Sequence, residues 1–379
     1  MKIVIAPDSF KESLSAIDVA RAIATGFNQH FPDADYHLIP VADGGEGTTQ
    51  ALVDATGGQI YTALVSDPLG RKTEAHWGIL GDGATAVVET AAASGLDLLT
   101  ADERNPLLAT TYGTGELIQE ALNKGVRRII LGLGGSATND GGSGLLVALG
   151  AELLDADHQP LTAGGGDLSR LKTLDLSKLD SRLAETEILL ACDVDNPLTG
   201  PEGASAVFGP QKGASETMVA ELDSALAHFA DHLEKACGKS IRNIPGAGAA
   251  GGLGIVLFAL ANARMNSGID IVLDAVDIDT QLENADLVIT GEGRIDSQTI
   301  HGKTPIGVAR RAKARGCPVI ALAGAVANDA DVVYEHGIDA LFSVVPGAQA
   351  LEQALADAEQ NLVTCARNVA AVWKMQSGH

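Results

Sequence analysis

Carboxylates recur in this chain beside glycine or proline, directly after runs that read as buried strands. In open parallel sheets, ligands bind beyond the carboxyl ends of the strands, so the residues after each run are the candidates for chemistry. Ile3–Ala6 leads into Pro7-Asp8-Ser9-Phe10-Lys11-Glu12-Ser13, with Ala42-Asp43-Gly44-Gly45-Glu46-Gly47 close behind. Arg128–Leu133 leads into the glycine run Gly132–Gly144, and Ile188–Cys192 into Asp193-Val194-Asp195-Asn196-Pro197. Leu287–Thr290 leads into Gly291-Glu292-Gly293-Arg294-Ile295-Asp296-Ser297-Gln298, then Gly302-Lys303-Thr304.

Each loop suggests a role by residue type. Six glycines in the thirteen residues Gly132–Gly144 would let backbone N–H groups approach an anion at a helix start. Ser136, Thr138 and Asn139 would add side-chain donors, and the alternative is an ordinary strand-to-helix turn. The carboxylates Asp193 and Asp195, and Glu292 and Asp296, suit Mg²⁺, which takes one or two protein carboxylates plus phosphate oxygens; loop and cap aspartates are the bland alternative. Lys11 and Arg294 are the cations nearest to strand ends, placed to neutralise an anionic substrate or a group in transfer, where ordinary surface charge would otherwise be their fate.

Other signals weigh less. Gly302-Lys303-Thr304 ends like a phosphate-binding Walker loop, but Ser297 stands where the first glycine is required. Gly246–Gly251 matches G-x-G-x-x-G without a strand before it, so helix packing or a hinge is the better reading. His228 and His232 have the spacing of a zinc helix, yet Phe229 replaces the catalytic glutamate and no third ligand is evident. Cys192 reads as a buried strand thiol rather than a nucleophile.

The elements that must position these loops follow from periodicity. Six apolar runs read as parallel strands: the four named above, Val319–Ala323 and Ala340–Val345. Amphipathic stretches at Asp18–Phe31, Glu116–Lys124 and Thr304–Arg315 read as helices, which together predict an α/β, doubly wound, Rossmann-like sheet. Gln59–Val65, Thr73–Ile79 and Thr85–Glu89 alternate between turns and predict an antiparallel meander. On this reading residues 1–58, 110–195 and 265–379 form the Rossmann-like domain, and 59–109 with 196–264 form a smaller inserted α/β domain.

At 379 residues with 46% hydrophobic and 20% charged composition, the chain suits two globular domains. A net charge of −23 opposes binding to nucleic acid or anionic membranes. No apolar stretch approaches a membrane span, and the start of the chain offers no apolar export segment. Four dispersed cysteines make neither a zinc site nor a disulfide framework, so a cytoplasmic location is expected.

The quoted loops resemble those of the bacterial glycerate kinase family (type I). The resemblance rests on Ile5–Ser13, Ala42–Gly47, Glu89–Leu96, Thr111–Leu117, Gly132–Thr138, Cys192–Leu198, Phe208–Gly213 and Ile289–Thr299, followed by Gly302-Lys303. It implies two α/β domains with an active site between them, ATP as co-substrate and phosphorylation of D-glycerate, chiefly at the 2-hydroxyl. The 3-phosphate product is the alternative. Role assignments rest on the loops themselves, because the family fixes them only loosely. ATP phosphates are assigned to Gly134, Gly135, Ser136, Thr138, Asn139, Asp140, Gly141 and Gly142. Mg²⁺ is assigned to Asp193, Asp195, Glu292 and Asp296. Ser9, Lys11, Asp43, Gly44, Gly45, Glu46 and Arg294 are assigned to substrate, with Asp193 or Asp8 accepting the hydroxyl proton and Lys11 or Arg294 meeting the moving phosphoryl. With aromatics at 3%, adenine is expected between aliphatic side chains. The rivals are a nicotinamide-dependent hydroxy-acid dehydrogenase, suggested by the Gly246 run, and a non-catalytic ligand-binding protein. Oligomeric state is not legible.

Overall fold

The computed structural model describes residues 1–376. It is a mixed α/β fold built on parallel sheets. Strands β1 (Lys2–Ile5) and β2 (Asp35–Leu38) open the chain. Next come β3 (Gln59–Ser66), β4 (Lys72–Ile79), β5 (Thr85–Glu89), β6 (Arg128–Gly132), β7 (Glu152–Leu154), β8 (Thr173–Asp175), β9 (Glu187–Ala191) and β10 (Asn262–Asn266). Strands β11 (Leu287–Ile295), β12 (Val319–Val326) and β13 (Ala340–Ser343) close it.

These strands make two main sheets. The order β13-β12-β11-β1-β2 is parallel throughout, with Ile3 opposite both Leu287 and Tyr36. The second sheet, β10-β9-β6-β5-β4-β3, is parallel from β10 to β5 and antiparallel from β5 to β3. Strands β7 and β8 form a separate antiparallel pair.

Two compact units result, one per main sheet. The first contains residues 1–43, 50–57 and 268 onward, and the second contains 44–49 and 58–267. This corrects the predicted boundaries: residues 110–195 belong with the second sheet, where Val87 faces Ile130 and Ile130 faces Leu189. The predicted meander is real and lies, as expected, in the same unit as residues 196–264, where it forms the antiparallel end of the second sheet. The reason is physical. A strand buried on both faces reads as a uniform apolar run whichever parallel sheet it joins.

In the first unit, the helix Ala16–Asn28 starts at Ser15, whose hydroxyl accepts from the Asp18 N–H. It buries Val19, Ile23 and Phe27 against the sheet and against Leu362, Ala366 and Val369 of the helix Ala358–Gln376. The approach is close enough that a Cβ on Gly26 would sit 2.5 Å from the Val363 carbonyl. In the second unit, Glu216–Cys237 is capped by Ser215 and ended by Gly238 at φ 67°. Its Leu226 and Phe229 enter a core shared with Trp77, Leu131 and Leu190. No described helix is long and apolar enough to cross a membrane.

Candidate active site

The carboxyl edge of the first sheet holds a pair of carboxylates. Asp8 follows β1 and Glu292 lies in β11, held in register because the Asp8 N–H donates to the Gly291 carbonyl at 2.8 Å. Asp8 accepts from the Ser9 N–H at 2.7 Å and from Thr304 Oγ1 at 2.6 Å. Glu292 accepts from Thr299 Oγ1 at 2.8 Å and from Lys303 Nζ at 3.3 Å. Burial raises the Asp8 carboxyl to about 6; its bond to Thr304 opposes the rise and the charge of Asp43 adds to it. Burial likewise raises Glu292 to about 7, against the bond from Thr299 and the Lys303 ammonium, with Asp8 adding to the rise. Two carboxylates lifted into the neutral range and facing each other's charge are a recurring feature of acid–base sites.

Lys303 and Thr304 were underweighted by sequence reasoning. Lys303 caps and Thr304 opens the helix Thr304–Lys313, with Pro305 in its first turn, so a positive helix end, an ammonium and a hydroxyl meet the acid pair. The failed Walker pattern hid them; the surviving signal was the lysine and threonine at a helix start. The cations chosen from sequence lie farther out: Lys11 is exposed, and the Arg294 side chain is 68% exposed and paired with Asp296 at 3.2 Å. Asp296 is also occupied within its own loop, accepting from the Gln298 N–H.

In the second unit, the carboxyl edge presents Glu89 at the end of β5, the glycine run from the end of β6, and Asp193 and Asp195 after β9. Glu89 accepts from the N–H groups of Thr49 at 2.7 Å and Gly47 at 3.3 Å, and burial raises its carboxyl. Gly44 and Gly45 lie along the glycine run: a Cβ on Gly132 would approach the Gly44 carbonyl at 2.9 Å. Glu46, Asp193 and Asp195 are exposed. Cys192 lies just past β9 and is half-buried rather than buried within the strand as expected, and burial raises its thiol.

The glycine run itself divides in two. Gly134 and Gly135 are exposed, whereas Ser136 to Gly144 are buried. Of the residues expected to contact nucleotide, Ser136, Thr138, Asn139, Asp140, Gly141 and Gly142 are therefore turned into the unit and make internal connections. Asn139 donates to Ser205 Oγ at 2.8 Å. Asp140 accepts from Thr111 N–H and Oγ1, Gly142 N–H and Gly144 N–H. A Cβ on Gly141 would strike Phe229 at 2.9 Å, and one on Gly142 the Leu253 carbonyl at 2.7 Å.

The Gly246 run explains part of this need for glycine. It is buried too, with Gly251 accepting from the Gly141 N–H and leaving no room for a Cβ beside the Thr138 carbonyl. Two glycine-rich stretches pack backbone against backbone, which removes the basis for a dinucleotide fingerprint. Beneath the exposed pair lies Lys212, 2% exposed, donating to Ser136 Oγ at 3.0 Å and the Thr138 carbonyl at 2.7 Å. Burial lowers it to about 7, partly offset by the charge of Asp140.

Among the described residues, no group of three or more His, Cys, Asp or Glu side chains could hold a metal ion. The available acids suit an ion that arrives already bound to phosphate oxygens, which needs only one or two protein carboxylates.

Comparison with known proteins bears on all of this. The model of the glycerate kinase family matches residues 3–374. The chain is 58% identical over 375 residues to a glycerate kinase of Bacillus subtilis strain 168, covering 99% of this chain and 98% of the relative. It is 54% identical over 371 residues to a glycerate 2-kinase of Escherichia coli K12, covering 98% and 97%. Among solved structures it resembles a protein of Salmonella typhimurium LT2 assigned as glycerate kinase 2, with a TM-score of 0.93, 52% identity and full coverage of both chains.

Proposed function

This chain belongs to the glycerate kinase family, and on that premise we propose that it transfers the γ-phosphoryl of ATP to the 2-hydroxyl of D-glycerate. The choice of the 2-hydroxyl is supported by the 54% identity to a relative named glycerate 2-kinase. The observation that carries the site is the coupled pair Asp8 and Glu292, lifted by burial and met by Thr304 and Lys303.

Phosphoryl transfer asks the protein mainly for positioning and charge stabilisation. Asp8, mostly ionised at pH 7, accepts the hydroxyl proton as the new O–P bond forms. The Ser9 N–H and Thr304 hydroxyl hold its two oxygens in orientation. Lys303 and the helix end behind it offset charge spreading over the phosphoryl oxygens, with the exposed Arg294 as a second cation. Ser9, Lys11 and Asp43 bind glycerate, Lys11 taking its carboxylate. Backbone N–H groups of Gly134 and Gly135 contact nucleotide phosphates. Asp193 and Asp195 supply hard oxygen donors for Mg²⁺, which when bound neutralises phosphate charge. Four unpaired thiols support a reducing, cytoplasmic setting.

Incubation with Mg-ATP and D-glycerate, followed by proton-coupled phosphorus NMR, tests the reading. A phosphorus signal split by the lone methine proton is expected. Splitting by the terminal methylene protons would move the product to the 3-phosphate, and no glycerate-dependent ADP would remove the kinase reading altogether.

A further inference from the structure

Beyond the carboxyl ends of β11, β12 and β13, the first unit contains a cavity of about 500 Å³. Part of its lining is bare backbone, at Gly293 and Gly324. A Cβ on Gly324 would fall 2.5 Å from the Gly293 carbonyl, so these adjacent strands keep a flat peptide surface there. Phe10 and Val344 line the apolar wall, and Lys11 and Gln349 add polar groups. Leu351, also in the lining, is 70% exposed.

We propose that this cavity receives the nucleoside of ATP, with adenine lying on the Gly293–Gly324 peptide surface and Leu351 covering it. The inference rests on the kinase reading, which supplies the nucleotide. The volume is in the range of pockets that enclose cofactor-sized ligands, far more than glycerate fills, and its apolar wall gives a small hydroxy acid few partners. Besides the peptide surface, the Phe10 ring and the aliphatic Val344 and Leu351 are available to a base. The loops that line the cavity also carry the acid pair, since Lys11 follows Asp8 by three positions and Gly293 follows Glu292 directly.

Gly347 provides the test, because it lines the cavity, its φ is not left-handed, and a Cβ there meets nothing within 4 Å. Gly347→Trp fills the cavity without straining the backbone, and Ala354→Trp does so from another side. Each should raise the KM for ATP about tenfold, the effect of overfilling a fitted site, while kcat at saturating ATP and the KM for glycerate stay unchanged. Adenosine, which carries no phosphate, should inhibit the wild type competitively against ATP and lose that inhibition in both variants. Unchanged ATP KM and adenosine inhibition in folded variants would overturn the assignment, as would a rise confined to the glycerate KM. If the wild type shows no glycerate-dependent turnover, the kinase reading fails separately. Calorimetric titration with adenosine then decides the cavity: binding lost in the variants supports it, and no binding to wild type overturns it.

Discussion

Asp8 and Asp140 are both held away from water after a parallel strand, yet their surroundings differ. Asp140 accepts four hydrogen bonds from Thr111, Gly142 and Gly144, and is fully buried. Asp8 is only half-buried, has Asp43 and Glu292 as charged neighbours, and keeps company with a hydroxyl and a lysine-bearing helix end. A carboxylate whose lone pairs are all used by its own scaffold ties loops together. Burial raises both carboxyls, but only the incompletely enclosed one retains capacity to take up a proton from outside.

The sharpest way to break that contrast is Asp8→Asn. Loss of the base should lower kcat on the order of 10²–10⁴-fold and abolish the rise of kcat/KM expected of wild type as pH increases through about 6. Stability should move the other way. Because the folded pKa of about 6 exceeds the ordinary 3.8, the native state holds the extra proton between those values, and wild-type stability falls as pH climbs from 4 to 6. Asp8→Asn should therefore be more stable than wild type above pH 6, by about 3 kcal/mol, in urea titrations. A variant that is both inactive and destabilised would make Asp8 another scaffold carboxylate.

The complementary change is Asp140→Ala, which strands four donors and should cost roughly 3–5 kcal/mol in the same titrations. A loss below about 1 kcal/mol would mean the hub is dispensable. A smaller and more discriminating effect is expected at the glycine run. Gly135 has φ 71° and a Cβ there would press Ala91 at 3.0 Å, whereas a Cβ on Gly134 meets only Gly45 at 3.6 Å. Gly134→Val should thus fold normally and raise the KM for ATP about tenfold, as blocking one backbone contact would. An unchanged KM would return the exposed glycines to the role of a turn.

Much of the architecture was legible because apolar runs mark buried strands. All six predicted parallel strands appear within a few residues of their expected ends, and so do the three antiparallel runs from residue 59 to 89. The short edge strand Asp35–Leu38 and the polar Asn262–Asn266 carried no such run and were missed. At the site, Asp8 and Glu292 were readable from strand-end position alone. Lys303 and Thr304 were not, because their partners are set by a helix docking beside a strand, which motif matching does not see. Glycine density misled in the opposite direction: the count in Gly132–Gly144 was right, but most of those glycines answer to backbone packing rather than to an anion. Composition cannot separate the two demands, since both require the same missing Cβ.

The pairing of Ala16–Asn28 with Ala358–Gln376, through the contact that only Gly26 permits, carries a consequence for biogenesis. Strand β1 likewise waits for β11, whose residues are made nearly three hundred positions later. The second unit draws almost entirely on one continuous stretch and can complete itself while synthesis is still under way. The first unit cannot; its opening strand and helix leave the ribosome with apolar faces uncovered and stay so until the last helix emerges. Closing so long a loop is expected to slow the pairing of β1 with β11, and the apolar faces exposed until then favour aggregation.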